Sequence, residues 1–121
     1  MKIGIIGFGA IGFDVAKKLD QEKDQFNVIG VHSRTKNKII DKTTSFNSPL
    51  RYLSLDEICK KCDVVIDCAP KETFKEIIQK CLYYKTKLIT VSGAGRLENQ
   101  EIINKAREHS TQIFLASGAI I

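Results

Sequence analysis

No apolar run in this sequence approaches the ~20 residues that a membrane-spanning helix requires. Residues 1–12 have one lysine and then glycines, with no small-residue cleavage site after an apolar stretch, so they do not read as a secretory leader. The expected location is therefore cytoplasmic, with no membrane partner. The net charge is +5, but the lysines are scattered among acids and no basic stripe with interleaved aromatics occurs. That excludes nucleic acid as the expected partner and leaves a lysine-rich surface or an acidic ligand. Four cysteines are present, and Cys59 and Cys62 form the one C-x-x-C. A zinc site takes about four ligands, usually as two such pairs, and the second pair is missing. A redox motif of this type starts a helix, whereas this one closes a short helix. No metal is expected, and the thiols are read as reduced, with Cys68 buried in a strand. Repeats, low-complexity tracts and linkers are also lacking. With 43% apolar and 27% charged residues over 121 positions, the chain is read as one globular domain.

Strand and helix signals alternate throughout. Residues 2–6 form a short apolar run, as expected of a strand buried on both faces. Ile11, Val15, Ala16 and Leu19 then recur at helical spacing, which predicts an amphipathic helix over 10–20. Residues 26–32 read as a second strand. Residues 35–50 hold little beyond a turn of helix and a polar loop. Tyr52 and Leu53 suggest a short third strand, and Ser54 with Glu57 forms a capping box that starts a helix ending near Lys61. A fourth strand is expected over 63–68. Pro70 suits the first turn of a helix whose apolar face carries Phe74, Ile77, Ile78, Cys81 and Leu82. A fifth strand over 87–91, a helix marked by Ile102, Ile103 and Ala106, and a sixth strand over 112–116 complete the pattern. The expected fold is α/β, a doubly wound parallel sheet of order 3-2-1-4-5-6 with helices on both faces.

Gly7-Phe8-Gly9-Ala10-Ile11-Gly12 is a G-x-G-x-x-G that leaves the first strand and enters the first helix. In that context it is the Rossmann phosphate-binding turn of a dinucleotide site. Gly7 permits the tight turn, Gly9 admits a pyrophosphate close to the backbone, and Gly12 lets the helix pack closely. The helix N-terminus adds N–H donors and partial positive charge. A tight turn without a ligand is the alternative. Dinucleotide sites selective for NAD usually end the second strand with an acid for the ribose 2′-hydroxyl. Here Ser33 stands at that position, followed by Arg34 and Thr35, with Lys36 and Lys38 nearby. Serine and arginine accept a 2′-phosphate that an acid would repel. The expected cofactor is NADP or NAD, with NADP slightly favoured; the alternative is a surface arginine in a basic loop. Neither His32, within a strand, nor His109, at a helix end, has a carboxylate placed by spacing to make it catalytic.

Three stretches resemble the L-aspartate dehydrogenases, relatives of the homoserine dehydrogenases. They are residues 2–12, the run Val64 to Pro70, and Leu115 to Ile120, with Ser92-Gly93-Ala94 similar after a small shift in register. The resemblance spans this whole chain but only about the N-terminal half of such an enzyme. It implies oxidative deamination of L-aspartate to iminoaspartate, with hydride passed to NAD or NADP, a reaction that can feed nicotinamide cofactor synthesis. It also implies that Ala119 and its neighbours contact the nicotinamide end. The family's catalytic histidine lies in a second domain and has no counterpart here. The chain is thus expected to be an NAD(P)-binding Rossmann domain over residues 1–121 with no catalytic residue of its own. The small amino-acid substrate would be met only with a second domain, and a homodimer of the full enzyme is compatible with this. The expected cofactor-binding residues are Gly7 to Gly12, Ser33, Arg34, Thr35, Cys68, Ala69, Pro70, Ser92, Gly93 and Ala119, all at carboxyl ends of strands. Two readings stay open beside it. One is the cofactor domain of homoserine dehydrogenase, dihydrodipicolinate reductase or another imine reductase. The other is a stand-alone nucleotide-binding or redox-sensing module without catalysis.

Overall fold

The computed structural model describes residues 1–34, 46–47, 50–91, 98–108 and 113–115. Within them the chain alternates as the apolar pattern requires. The strands are β1 (Lys2–Ile6), β2 (Asn27–His32), β3 (Val64–Asp67), β4 (Lys87–Thr90) and β5 (Ile113–Leu115). The helices are α1 (Ala10–Gln21), α2 (Leu55–Lys61), α3 (Phe74–Tyr84) and α4 (Gln100–Glu108). All five strands are parallel, in the order β2-β1-β3-β4-β5.

Side-chain alternation sorts the core into two layers. Ile3 and Ile5 of β1 join Val28, Val31, Phe8 and Ala16 beneath α1. Ile6 joins Ile58, Ile77, Ile78, Leu88 and Ile103 beneath α2, α3 and α4. Burial on both faces explains why β1 reads as an unbroken apolar run. Short parallel strands joined by helices place every strand-to-helix turn at one edge of the sheet, the edge where such folds bind ligands.

The strand order is the expected one, except that the predicted third strand shrinks to one parallel bridge, Val31 to Tyr52. The physical reason lies two residues on: Ser54 already caps α2, so pairing has no length to grow. Its hydroxyl accepts from the Glu57 N–H at 3.1 Å, and Glu57 accepts from the Ser54 N–H at 3.2 Å. Ser54→Ala should therefore cost about 1 kcal/mol, read as a lowered urea midpoint. Pro70 does not enter a helix directly. It precedes a single 3₁₀ turn, Lys71–Thr73, which leads into α3, and the Thr73 hydroxyl donates back to the Pro70 carbonyl at 2.8 Å.

Ile11 also departs from expectation: Ala16 is buried, but Ile11 is 59% exposed at the head of α1. Cys68 lies just past β3 and is half-buried rather than buried. Cys59 and Cys81 are buried, with sulfurs 3.7 Å apart between α2 and α3. Burial pushes the Cys62 thiol up to about 12. The predicted loop over 35–50 lies largely outside the described residues, as does His109.

Candidate functional site

Gly7 turns the chain at φ +90°, in the left-handed region that side chains rarely adopt. Its N–H donates to the His32 carbonyl at 2.7 Å, and a Cβ there would stand 2.6 Å from the Ala69 nitrogen. The glycine thus lets β1, the end of β2 and the turn after β3 meet at one point. Gly12 is equally constrained, because a Cβ would run into the Gly7 carbonyl oxygen. Gly9 is different. Its backbone is extended, and among the described residues a Cβ would meet nothing within 4 Å beyond its chain neighbours. It heads α1 with no side-chain cap and no acid in the first turn, so the helix itself supplies no charge to offset its N-terminal N–H dipoles.

A cavity of about 870 Å³ opens over this turn, beyond the carboxyl ends of β1 to β4. The turn itself lines it with Gly7, Phe8, Gly9 and Ile11; Ser33 and Arg34 come from the end of β2. Cys68, Ala69 and Pro70 come from the turn after β3. These nine expected residues are therefore brought together. Phe8 is 2% exposed, with its ring packed on Phe13 and Phe46 at 5.7 and 6.4 Å, so its side chain belongs to the core. Ala10 and Gly12 do not line the cavity; Gly12 acts by close packing instead. Thr35, Ser92, Gly93 and Ala119 lie outside the described residues.

The sequence reading missed the far wall. Thr73, Glu76, Ile77 and Lys80 line the cavity from α3 and the turn before it, and Leu55 and Asp56 line it from α2. The signal was present: steps of three, one and three residues place the first four on one helical stripe beside the apolar face. Lys80 donates to both Asp56 oxygens at 2.9 and 3.0 Å, and the Tyr84 hydroxyl donates to the same carboxylate at 3.1 Å. Lys80 holds the Asp56 carboxyl below the usual carboxylate range.

Asp67 supports the turn from below. It is 1% exposed; Oδ1 accepts from the Ala69 N–H at 2.9 Å and Oδ2 from the Thr90 hydroxyl at 2.8 Å. Burial pushes its carboxyl up, and the two hydrogen bonds oppose that shift. Burial, with Asp67 alongside, also pushes the Cys68 thiol up to about 11.

The pieces fit a dinucleotide: space above a glycine with no Cβ, a helix N-terminus facing it, and a cationic side chain at one end. The family model for the NAD-binding domain of homoserine dehydrogenase matches residues 7–116. An L-aspartate dehydrogenase of Methanococcoides burtonii is 27% identical over all of this chain and 46% of its own length. One from Methanocaldococcus jannaschii is 32% identical over 99% of this chain and 46% of its own length. The chain spans about half the length of the curated relatives it matches. Among solved structures, the scyllo-inositol dehydrogenase of Lactobacillus casei with bound NAD(H) and scyllo-inositol superposes with a TM-score of 0.74. That match is 14% identical and covers 96% of this chain and 36% of the other; at such identity it speaks for the fold alone. From the glycine turn to the last strand, this chain belongs to the family of homoserine dehydrogenase NAD-binding domains.

Proposed function

We propose that residues 1–121 form the cofactor domain of an NAD(P)-dependent oxidoreductase that oxidatively deaminates L-aspartate, with the substrate held by a separate domain. The observation that carries the cofactor reading is Gly9: among the described residues, nothing beyond its own neighbours in the chain fills the space a side chain would take. The relatives named L-aspartate dehydrogenase support the substrate. Bound nicotinamide supplies the hydride acceptor. The residues of this chain hold and orient it: Gly7 and Gly9 shape the pyrophosphate seat, and α1 directs its dipole there. Ser33 and Arg34 receive the adenosine end, while Cys68, Ala69 and Pro70 wall the middle. Thr35, Ser92, Gly93 and Ala119 belong to the same reading, as do a cytoplasmic location and a homodimer of the whole enzyme. Among the described residues no helix is long and apolar enough to cross a membrane.

Titration calorimetry with NADH and NADPH tests the cofactor; no heat of binding from either would overturn it. The whole gene product, given L-aspartate or L-homoserine with either oxidised cofactor, tests the substrate. Reduced nicotinamide absorbance is expected with L-aspartate, and turnover of L-homoserine alone would reassign it.

NADP is the preferred cofactor in this reading. Ser33 brings no charge against a 2′-phosphate, and Arg34, also on the cavity wall, can donate two parallel hydrogen bonds to it. Arg34→Ala should weaken NADPH about tenfold, near 1.4 kcal/mol, and leave NADH nearly unchanged. Equal losses for both cofactors would show that Arg34 does not read the 2′ position.

A further inference from the structure

His32 is the last residue of β2, and it lines the cavity beside Ser33 and Arg34. Its carbonyl already takes the Gly7 N–H, so the residue is fixed at the root of the glycine turn. The ring is fixed as well. Nδ1 lies 2.8 Å from the Leu53 carbonyl oxygen, and the ring packs on Tyr52 at 5.4 Å between centroids. A carbonyl oxygen can only accept, so Nδ1 carries the hydrogen. That assigns the tautomer. In the neutral ring Nε2 is then an acceptor, and in the protonated ring it is a donor on a cation. No partner for Nε2 is found among the described residues.

We propose that His32 is a specificity-determining residue that reads the 2′ substituent of the cofactor's adenosine ribose through Nε2. This rests on the cofactor reading above. Neutral His32 accepts a hydrogen bond from the 2′-hydroxyl of NAD. Protonated His32 donates to the 2′-phosphate of NADP and adds its charge to that of Arg34. Discrimination between the cofactors therefore depends on pH, with NADP gaining as the ring takes up its proton. Among the described residues, the other ionisable groups on this ring and on the cavity walls are Tyr52 against the ring, Arg34 two residues on, Cys68 after β3, and Asp56, Glu76 and Lys80 across the cavity on α2 and α3. Asp56 and Lys80 hold each other across the cavity.

The chain has two histidines, so a proton NMR titration of the imidazole C–H signals reads His32 directly. His32→Gln assigns its signal by loss, and His109→Gln assigns it by elimination if the first variant does not fold. Saturating NADPH should raise the midpoint of the His32 signal by about half a pH unit or more, the mark of an anion near the ring. Saturating NADH should not. By linkage, a midpoint raised by half a unit makes NADPH about threefold tighter for the protonated ring. The 2′-phosphate itself titrates near pH 6, and the His32→Gln protein measures that background when both affinities are compared at pH 6 and pH 8. The wild-type preference for NADPH should rise more steeply on acidification than the variant's. A midpoint moved equally by both cofactors, or by neither while both bind, overturns the role of His32 and leaves the cofactor reading standing. If neither cofactor binds, both fall.

Discussion

Gly9→Val should abolish dinucleotide binding in a protein that is still folded. The expectation comes from an asymmetry among the three glycines of one turn. At Gly12 a Cβ would meet the Gly7 carbonyl, and at Gly7 it would meet the main chain of Cys68 and Ala69 in a left-handed backbone. Substitution at either is therefore a folding defect first. At Gly9 the backbone is extended and, beyond its chain neighbours, a Cβ touches no atom of the described residues within 4 Å. The variant then loses little more than the difference between glycine and valine at a helix cap, about 1 kcal/mol. The isopropyl group occupies the space that the pyrophosphate needs, so affinity for NADH and NADPH should fall on the order of a hundredfold or more. Far-ultraviolet circular dichroism should overlay on wild type, and calorimetry should show no binding at concentrations that saturate the parent. Undiminished affinity in the folded variant would mean that the turn joins strand to helix and does nothing else.

The same three glycines show what a sequence can and cannot reveal. Their spacing after an apolar strand is enough to identify the turn, because the chemistry of a phosphate seat demands residues without side chains at fixed steps. The capping box of α2 is legible for a similar reason, since both partners lie within four residues of each other. The parallel order follows from alternation and right-handed crossovers. What escaped was set by neighbours distant in the chain. Ile11 keeps the spacing of the α1 core stripe, yet sits one turn ahead of the sheet and meets the cavity instead. Tyr52 carries strand propensity, yet Ser54 ends the strand at one bridge. Asp56, Glu76 and Lys80 look like surface charges on two separate helices until α2 and α3 pack side by side and close the far end of the cavity. His32 showed no carboxylate at any useful spacing, and its partner is a main-chain carbonyl 21 residues away. Main-chain acceptors leave no trace in a sequence.

Asp67 is where support of the site and support of the fold coincide, and removal of its carboxyl should damage both. Asp67→Ala leaves the Ala69 N–H and the Thr90 hydroxyl without their acceptor in a buried place. Loss of two buried hydrogen bonds should cost about 3 kcal/mol, seen as a large fall in the urea midpoint. The turn 68–70 is also released, so cofactor affinity should weaken even well below the melting temperature. Asp67→Asn should behave otherwise. Its carbonyl still accepts from Ala69, its amide donates to the Thr90 oxygen, and that hydroxyl turns its own hydrogen aside. The pH dependence then separates charge from hydrogen bonding. Burial holds the folded carboxyl above its unfolded value, so the folded state takes up the proton first as pH falls. The ionised carboxylate thus costs stability at neutral pH, and that cost is relieved on acidification from the raised value down towards the ordinary carboxylate range. Asparagine carries no such cost at any pH. The stability of Asp67→Asn relative to wild type should therefore be most favourable at pH 7 and decline as the pH is lowered. A relative stability that instead improves on acidification would mean that the hydrogen bonds from Ala69 and Thr90 outweigh burial and hold Asp67 ionised.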